Sequence, residues 1–427
     1  MGTALIIEIH LPIVVMMVAI NIKTRMKNYF LFLLICLSCL SCSRTDTTDN
    51  AEPIKINLIA PADSTLLLSS IADSIMYFPL SEIQSERPGL DERITVYLSP
   101  NNVWMTYAHY GILYDRNDGT IKKKIDTGSF FNQPSYWFTT MRSNVSITPD
   151  ENHFYLRKRL EKSGIVYFSD VIRRYSDEQH VDSINLPYYY SIGLNDSLIM
   201  GCSSKATLFE PSTIEWYDTH GHLLSQDALL DTLFFDGQIE RCQLSVLKNK
   251  IYYRLGISST VYEVVSAPKC LPAFYFDLGK YTPQYHKMKE LKNIKPQDYS
   301  SLPYYYLTKV QIGNDFIFGT FSYFGKSYHI FSDKQDTYIL PVKPSGYQVD
   351  NGLINDLDGG LDFWPRNISQ EGEIYTWYLT DSLKAKVNRA DLSNIKNPTA
   401  ALKLKKMLDN LPKETNIIVA IMKEKEQ

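Results

Sequence analysis

From Arg93 to Val342 the chain repeats one unit: four runs of four to eight residues with alternating apolar positions, each closed by a turn cluster. Alternation with a period of two marks a half-buried strand. Strands this short, joined by turns this tight, pair antiparallel with their neighbours in sequence. A lone four-stranded sheet leaves apolar faces and edges uncovered, so sheets of this kind pack around a ring.

The first group is RITVYL, NVWMTYA, YGILYD and TIKKKI, from Arg93 to Ile125, with Asn101-Asn102 and RNDG as turns. NVSIT, HFYLRK, VIRRYS and HVDSINL follow from Asn144 to Leu186, then YSIGLN, SLIMGC, IEWYD and HLLSQDALL from Tyr190 to Leu230. CQLSVL, KIYYRL, TVYEVV and AFYFDLG fill Cys242 to Gly279, and LTKVQIG, DFIFGTFS, SYHIFS and DTYILPV fill Leu307 to Val342. GLDFWPR, EIYTWYL and the terminal NIIVAIM make a sixth group. The junction between third and fourth strands recurs as aromatic-Asp-turn, at Tyr114, Tyr217 and Phe331. The expected fold is all-β, a six-bladed propeller of four-stranded antiparallel blades. Either IKINLIA (Ile54 to Ala60) or SIMYFPL (Ser74 to Leu80) supplies the strand that closes the ring beside the last one, removing exposed edges.

Two segments break the pattern. Thr282 to Pro303 is charged and Pro-bounded and reads as an insertion between blades. NPTAALKLKKMLDNLP puts proline in a first helical turn and Ala401, Leu404, Leu408 and Leu411 on one face, which predicts a short C-terminal helix.

The 427 residues, with 30 Tyr and 19 Phe, suit one large repetitive β-architecture rather than an ordinary single core. A net charge of −3 supplies no basic footprint, so nucleic acid is excluded as a partner.

From Met26 the chain reads MKNYFLFLLICLSCLSC: a basic start, an apolar run of signal-peptide length, and a small residue before cysteine. Ser41-Cys42 is similar to a bacterial lipobox, with Cys42 as the lipidated residue; Ser38-Cys39 competes, but the polar tether SRTDTTDN begins directly after Cys42. Glu8, His10 and Pro12 interrupt the apolar segment upstream, where charge in a membrane core is costly. The predicted organisation is an extra N-terminal segment over 1–25 from a misassigned start, a lipoprotein signal peptide over 26–41, a flexible tether over 42–53 and the propeller over 54–427. Lipid chains of this kind tether a protein without making it span the membrane. The expected location is the cell envelope, as an outer-membrane lipoprotein facing periplasm or cell surface. Beyond Cys42 only Cys202, Cys242 and Cys270 remain, enough for one disulfide at most; buried free thiols are the simpler reading.

Three stretches carry a resemblance. SSIADSIMYFPLSE (Ser69 to Glu82), STVYEVVSAPKCLPAFYFDLGKYTP (Ser259 to Pro283) and INDLDGGLDFWP (Ile354 to Pro365) resemble the opening strand, a blade and a late turn of the six-bladed β-propeller lipoproteins of Bacteroidota. That uncharacterised family is similar in layout to NHL and TolB-type propellers. The first blade departs in lacking a clear FD..G turn, and PLSE stands where PLET is usual. The resemblance implies a fold and no chemistry.

NDLDGGLDFWPR, Asn355 to Arg366, is the densest candidate site. Asp356, Asp358 and Asp362 offer oxygen ligands, but counting from Asp356 puts Gly360, Leu361 and Asn367 at loop positions 5, 6 and 12, the wrong register for an EF-hand. The simplest reading is a turn permitted by Gly359-Gly360; the alternative is a ligand-facing loop with Asp356, Asp358, Asp362, Trp364 and Arg366. PYYYSIG and PYYYLTK place Tyr188 and Tyr304 before strands, in the core or on a rim that grips a sugar or peptide. His220-Gly221-His222 reads as a hairpin turn before a metal pair. No metalloprotease, nucleophile-elbow, P-loop or dinucleotide motif occurs, and no cofactor, metal or catalytic residue is assigned. The expectation is a monomeric binding or scaffold module with a glycan or peptide ligand over the channel, or an envelope protein partner. The alternatives are a propeller-fold glycan hydrolase or lyase, and a structural subunit of an envelope complex.

Overall fold

The structure, a computed structural model, describes residues 52–58, 66–81, 94–107, 110–126, 146–147, 154–156, 160–162, 165–167, 170–175, 180–186, 191–194, 197–203, 213–228, 242–255, 258–279, 305–323, 326–342, 352–412 and 415–425. The extra N-terminal segment, the signal peptide, Cys42, nearly all of the tether and the Thr282 to Pro303 insertion lie outside them.

The hairpin pattern of the sequence becomes a series of antiparallel sheets. Sheet I holds Ile94–Leu98, Asn102–Tyr107, Tyr110–Asp115 and Ile121–Asp126. Sheet II holds Ser146–Ile147, Phe154–Leu156, Asp170–Tyr175 and His180–Leu186, with a separate hairpin of Leu160–Lys162 and Ile165–Tyr167 inserted. Sheet III holds Ser191–Leu194, Ile199–Ser203, Thr213–Tyr217 and Leu223–Ala228. Sheet IV holds Cys242–Leu247, Lys250–Leu255, Thr260–Val264 and Cys270–Asp277, and sheet V holds Tyr306–Ile312, Ile317–Tyr323, Lys326–Ser332 and Thr337–Pro341. Sheet VI joins the chain's ends: Asn367–Ile368, Ile374–Leu379 and Ile417–Glu424 pair in order, and Ala72–Leu80 adds to the last of these, with Met76 opposite Ile421. The first strands of sheets III, IV, V and VI lie side by side. The chain is thus an all-β propeller of mostly antiparallel four-stranded blades.

Two expectations need correction, and an alternative left open is settled. Five sheets have the predicted four strands, one fewer than the six foreseen, because sheet IV takes a fifth: Ile54–Asn57 pairs in parallel with Cys270–Asp277, Ile56 opposite Phe276. That segment therefore does not close the ring; Ala72–Leu80 does. GLDFWPR is not a strand, since Phe363 makes only an isolated bridge to Leu353 and the first strand of sheet VI begins after it, at Asn367. The hydrogen bonds of the preceding corner and the missing N–H of Pro365 draw this stretch away from a ladder.

The recurrent aromatic-Asp junctions fold alike. Asp115, Asp218 and Asp333 each accept, through Oδ1, from the backbone N–H two residues on, at Asn117, His220 and Gln335. The aspartate supplies the acceptor that turns the backbone, while Tyr114, Tyr217 and Phe331 are buried. Lys248 and Asn249, both with positive φ, make the two-residue turn whose twist suits a hairpin.

Cores lie between adjacent sheets. Ile417–Glu424 shows why: as an inner strand of sheet VI it reads as one unbroken apolar run through Met422, all of it buried. Ile418, Ala420 and Met422 join Phe318, Phe331 and Leu340 of sheet V in one core. Ile417, Val419 and Ile421 join Val96, Met105 and Tyr114 of sheet I in another. Each fully buried side chain of this size is worth about 1.5–3 kcal/mol. Sheets IV and V share a third core around Phe276, Val310 and Phe321. Their first strands are also stapled by Gln243, whose amide donates to the Val310 carbonyl and accepts from the Val310 N–H, each at 2.8 Å.

The predicted C-terminal helix is Pro398–Asp409, capped by Asn397 accepting from Ala400 N–H and burying Ala401, Leu404 and Leu408. A second helix, Thr380–Val387, was not foreseen; it buries Leu383 and Val387, four residues apart. Both pack into the core between sheets V and VI. Among the described residues no helix is long and apolar enough to cross a membrane.

Candidate functional site

The Asn355 to Arg366 stretch divides into a corner and a seam. In the corner, Asn355 Oδ1 accepts from the N–H groups of Leu357 and Asp358, while its Nδ2 donates to Asp358 Oδ1 at 2.8 Å. Asp358 Oδ1 also accepts from Gly360 N–H and from the Tyr77 hydroxyl, both at 3.1 Å. Asp358 is 3% exposed, and burial pushes its carboxyl above the ordinary range despite these donors. Gly359 has φ of 74°, and a Cβ on Gly360 would lie 2.6 Å from the Tyr77 oxygen. The two glycines therefore serve a left-handed turn and a close approach.

Asp356 points to the turn just before Ala72–Leu80. Its Oδ1 accepts from Ser69 N–H and its Oδ2 from Ser69 Oγ, with Lys396 Nζ 3.5 Å from Oδ2. Burial works to raise its pKa, but the Ser69 hydrogen bonds and the Lys396 charge outweigh it and hold the carboxyl low. Asp362 is half-buried, its carbonyl accepting from the Tyr378 hydroxyl. Ser69, Tyr77 and Lys396 were not read from the sequence as members of this corner; Ser69 is 287 positions from Asp356, Tyr77 281 from Asp358 and Lys396 40 from Asp356, and no local spacing encodes them.

The seam lies where sheet V faces the start of sheet VI. Trp364, half-buried, stacks on His329 with ring centroids 4.0 Å apart and meets Phe318 edge-on. The Arg366 guanidinium sits 4.8 Å over the Trp377 ring, and the Arg366 carbonyl accepts from Lys309 Nζ. Lys309, Thr320 and His329 are consecutive partners across three strands, so they share one face of sheet V with Gln311, two residues along. The alternation KVQI, with two polar residues facing one way on an inner strand, was the signal for Lys309 and Gln311. Gln311 and His329 are 7% and 6% exposed, and their Nε2 atoms have no hydrogen-bond partner. A buried polar group left so costs about 1–3 kcal/mol. Burial alone drives the His329 pKa down to about 3, so the ring is neutral.

Thus the structure brings Asp356 and Asp358 into the corner and Trp364 and Arg366 to the seam; Tyr188 and Tyr304 lie outside the described residues. The His220 and His222 rings sit 6.2 Å apart on an exposed turn, with His222 Nδ1 2.8 Å from Asp218 Oδ2. No cluster of three or more metal-ligating side chains occurs among the described residues. Cys270 is a free, half-buried thiol whose pKa burial raises, while the side chains of Cys202 and Cys242 are outside the description.

A family model described as a domain of unknown function, DUF4934, matches residues 53–423. No curated protein matches the sequence. Among solved structures, a Bacteroides fragilis protein described as exported is similar at 13% identity with a TM-score of 0.58, covering 87% of this chain and 99% of its own. A DUF4221 member from Bacteroides vulgatus is similar at 9% identity with a TM-score of 0.41, covering 83% and 98%. At such identities the first likeness concerns the fold alone.

Proposed function

We infer a function for a chain that belongs to the DUF4934 family, whose description names no activity, from its own geometry: it is a ligand-binding or scaffold module of the cell envelope. The ligand lies over the channel that the first strands surround, and Cys42 carries the lipid that tethers the ring to the outer membrane. The Ser41-Cys42 junction supports the anchor, and the likeness to a protein described as exported supports a place outside the cytoplasm.

The observation that carries the binding reading is the seam. Trp364 and Arg366, both half-buried, lie next to the first strand of sheet VI, beside Lys309 on the first strand of sheet V. An apolar ring with a cation beside it suits an oriented polar ligand such as a glycan or peptide. Asp356 and Asp358 contribute by fixing the corner that delivers Trp364, while Asp362, Tyr188 and Tyr304 are proposed as further ligand contacts.

Thermal unfolding of the full chain against glycans and peptides tests this. A ligand at a hundred times its dissociation constant adds roughly 2.7 kcal/mol, a visible rise in midpoint that Arg366→Ala should reduce. No rise with either class, or turnover of the ligand instead of retention, overturns it. Cys42→Ser should release the protein from membranes and remove its acyl mass; an unprocessed, unacylated N-terminus in the membrane fraction of the parent chain refutes the anchor.

A further inference from the structure

The face of sheet V that meets Trp364 is apolar at Phe318, Phe331 and Leu340, all packed in the core with sheet VI. Set into that wall are Lys309, Gln311, Thr320 and His329. Lys309 and Gln311 are alternate residues of one strand, roughly 7 Å apart, and Lys309 lies directly across from Thr320. Gln311 Nε2 is a two-proton donor with no acceptor, more than nine-tenths buried. On the same wall His329 Nε2 is equally buried and equally without a partner, while its Nδ1 is 3.5 Å from Thr320 Oγ1. The Gln311 amide is thus a buried donor in want of an acceptor, on a face that also carries Lys309.

We propose that this wall, from Gln311 past Lys309 to Arg366, is a subsite for the carboxylate of the bound ligand. One carboxylate oxygen accepts from Gln311 Nε2 and the other from Lys309, with Arg366 adding positive charge at the mouth. Trp364, stacked on His329, screens the carboxylate from water. The inference deepens the channel-binding reading above and rests on it.

The test uses the full chain in detergent and four probes: galacturonate, galactose, acetyl-alanine and acetyl-alanine amide. The two carboxylates should raise the unfolding midpoint where their neutral counterparts do not, and whichever raises it more identifies the ligand as acidic sugar or peptide terminus. Gln311→Met removes the donor with little change of shape. It should weaken carboxylate binding at least tenfold and leave the unliganded midpoint unchanged or higher. Should that variant fail to fold, Lys309→Met, at a half-buried position, should show the same loss of binding. Shifts that persist undiminished in these variants place the carboxylate elsewhere and overturn the proposal. A shift with galactose or the amide equal to that of its acid overturns it too, while leaving the channel-binding reading intact. No shift with any probe, together with none in the wider glycan and peptide screen, defeats both.

Discussion

The Tyr77 hydroxyl donates to Oδ1 of Asp358 across 3.1 Å, tying the strand that closes the ring to a corner 281 residues later in sequence. Asn355 and Gly360 donate to the same oxygen, so one buried atom both folds its own corner and holds the closing strand. Closure thus depends on a polar contact as well as on the ladder between Ala72–Leu80 and Ile417–Glu424.

Because burial raises the Asp358 pKa above 3.8, its ionised form is harder to accommodate in the folded protein than in the unfolded one. Its contribution to stability is therefore full below the unfolded value and is lost as pH rises through the folded value. Asp358→Asn abolishes that titration. Urea unfolding of both proteins between about pH 4 and pH 7 should show the parent losing ground to the variant as pH rises. A parent that gains on the variant over that range would reverse the sign and refute the assignment.

Gly360→Ala should destabilise by about 1–3 kcal/mol, the usual effect of forcing atoms into a filled space. Its Cβ would meet the Tyr77 oxygen at 2.6 Å and Asn355 Nδ2 at 2.8 Å. Combining it with Tyr77→Phe should cost less than the two separate losses added together, since the clash and the hydrogen bond share one oxygen. Additive losses in urea titrations would show that the two positions do not meet.

Arg116 forms a two-pronged pair with Glu373, at 2.7 and 2.6 Å, and donates to the Ser99 carbonyl, bridging sheets I and VI. With Arg116 mostly buried, Glu373→Gln should cost about 1–2 kcal/mol, less than an enclosed pair would because Glu373 is partly open to solvent and screened. The cost should shrink as salt is raised. A variant indistinguishable from the parent at low salt would show that the closure does not use this pair.

Ile56 is 1% exposed in the core shared by sheets IV and V. Ile56→Ala should cost about 2–5 kcal/mol if the added parallel strand is an integral part of that core. An effect below about 0.5 kcal/mol, the usual range for exposed positions, would mark the strand as an ornament.

Much of the ring was legible because a period of two is written residue by residue: the strand groups from Arg93 to Val342 recur as sheets I to V. The Asp turns were legible for the same reason, since Asp115 and Asp333 act on residues two positions away. What escaped reading was decided at long range. IKIN and SIMYFPL are both short stretches with the apolar positions a strand needs, and only long-range pairing and packing, such as that of Ile56 in the core of sheets IV and V, separate the added strand from the closing one. The seam was half legible: Trp364 and Arg366 stand out in sequence, but their neighbours His329 and Lys309 come from strands of another sheet. Thr380–Val387 is two turns long and only weakly amphipathic, so its helical period had little room to show.

The parallel strand Ile54–Asn57 gives the molecule a mechanical entry point. Tension arriving along the chain from the N-terminal side meets this strand before it can reach Ala72–Leu80. A pull along the strand axis loads its hydrogen bonds to Cys270–Asp277, its Lys55–Asp277 ion pair and the Leu58 N–H bond to Asp277 together. A pull across that axis peels them singly, beginning at Ile54. The fifth strand thus stands in the load path ahead of the strand that closes the ring.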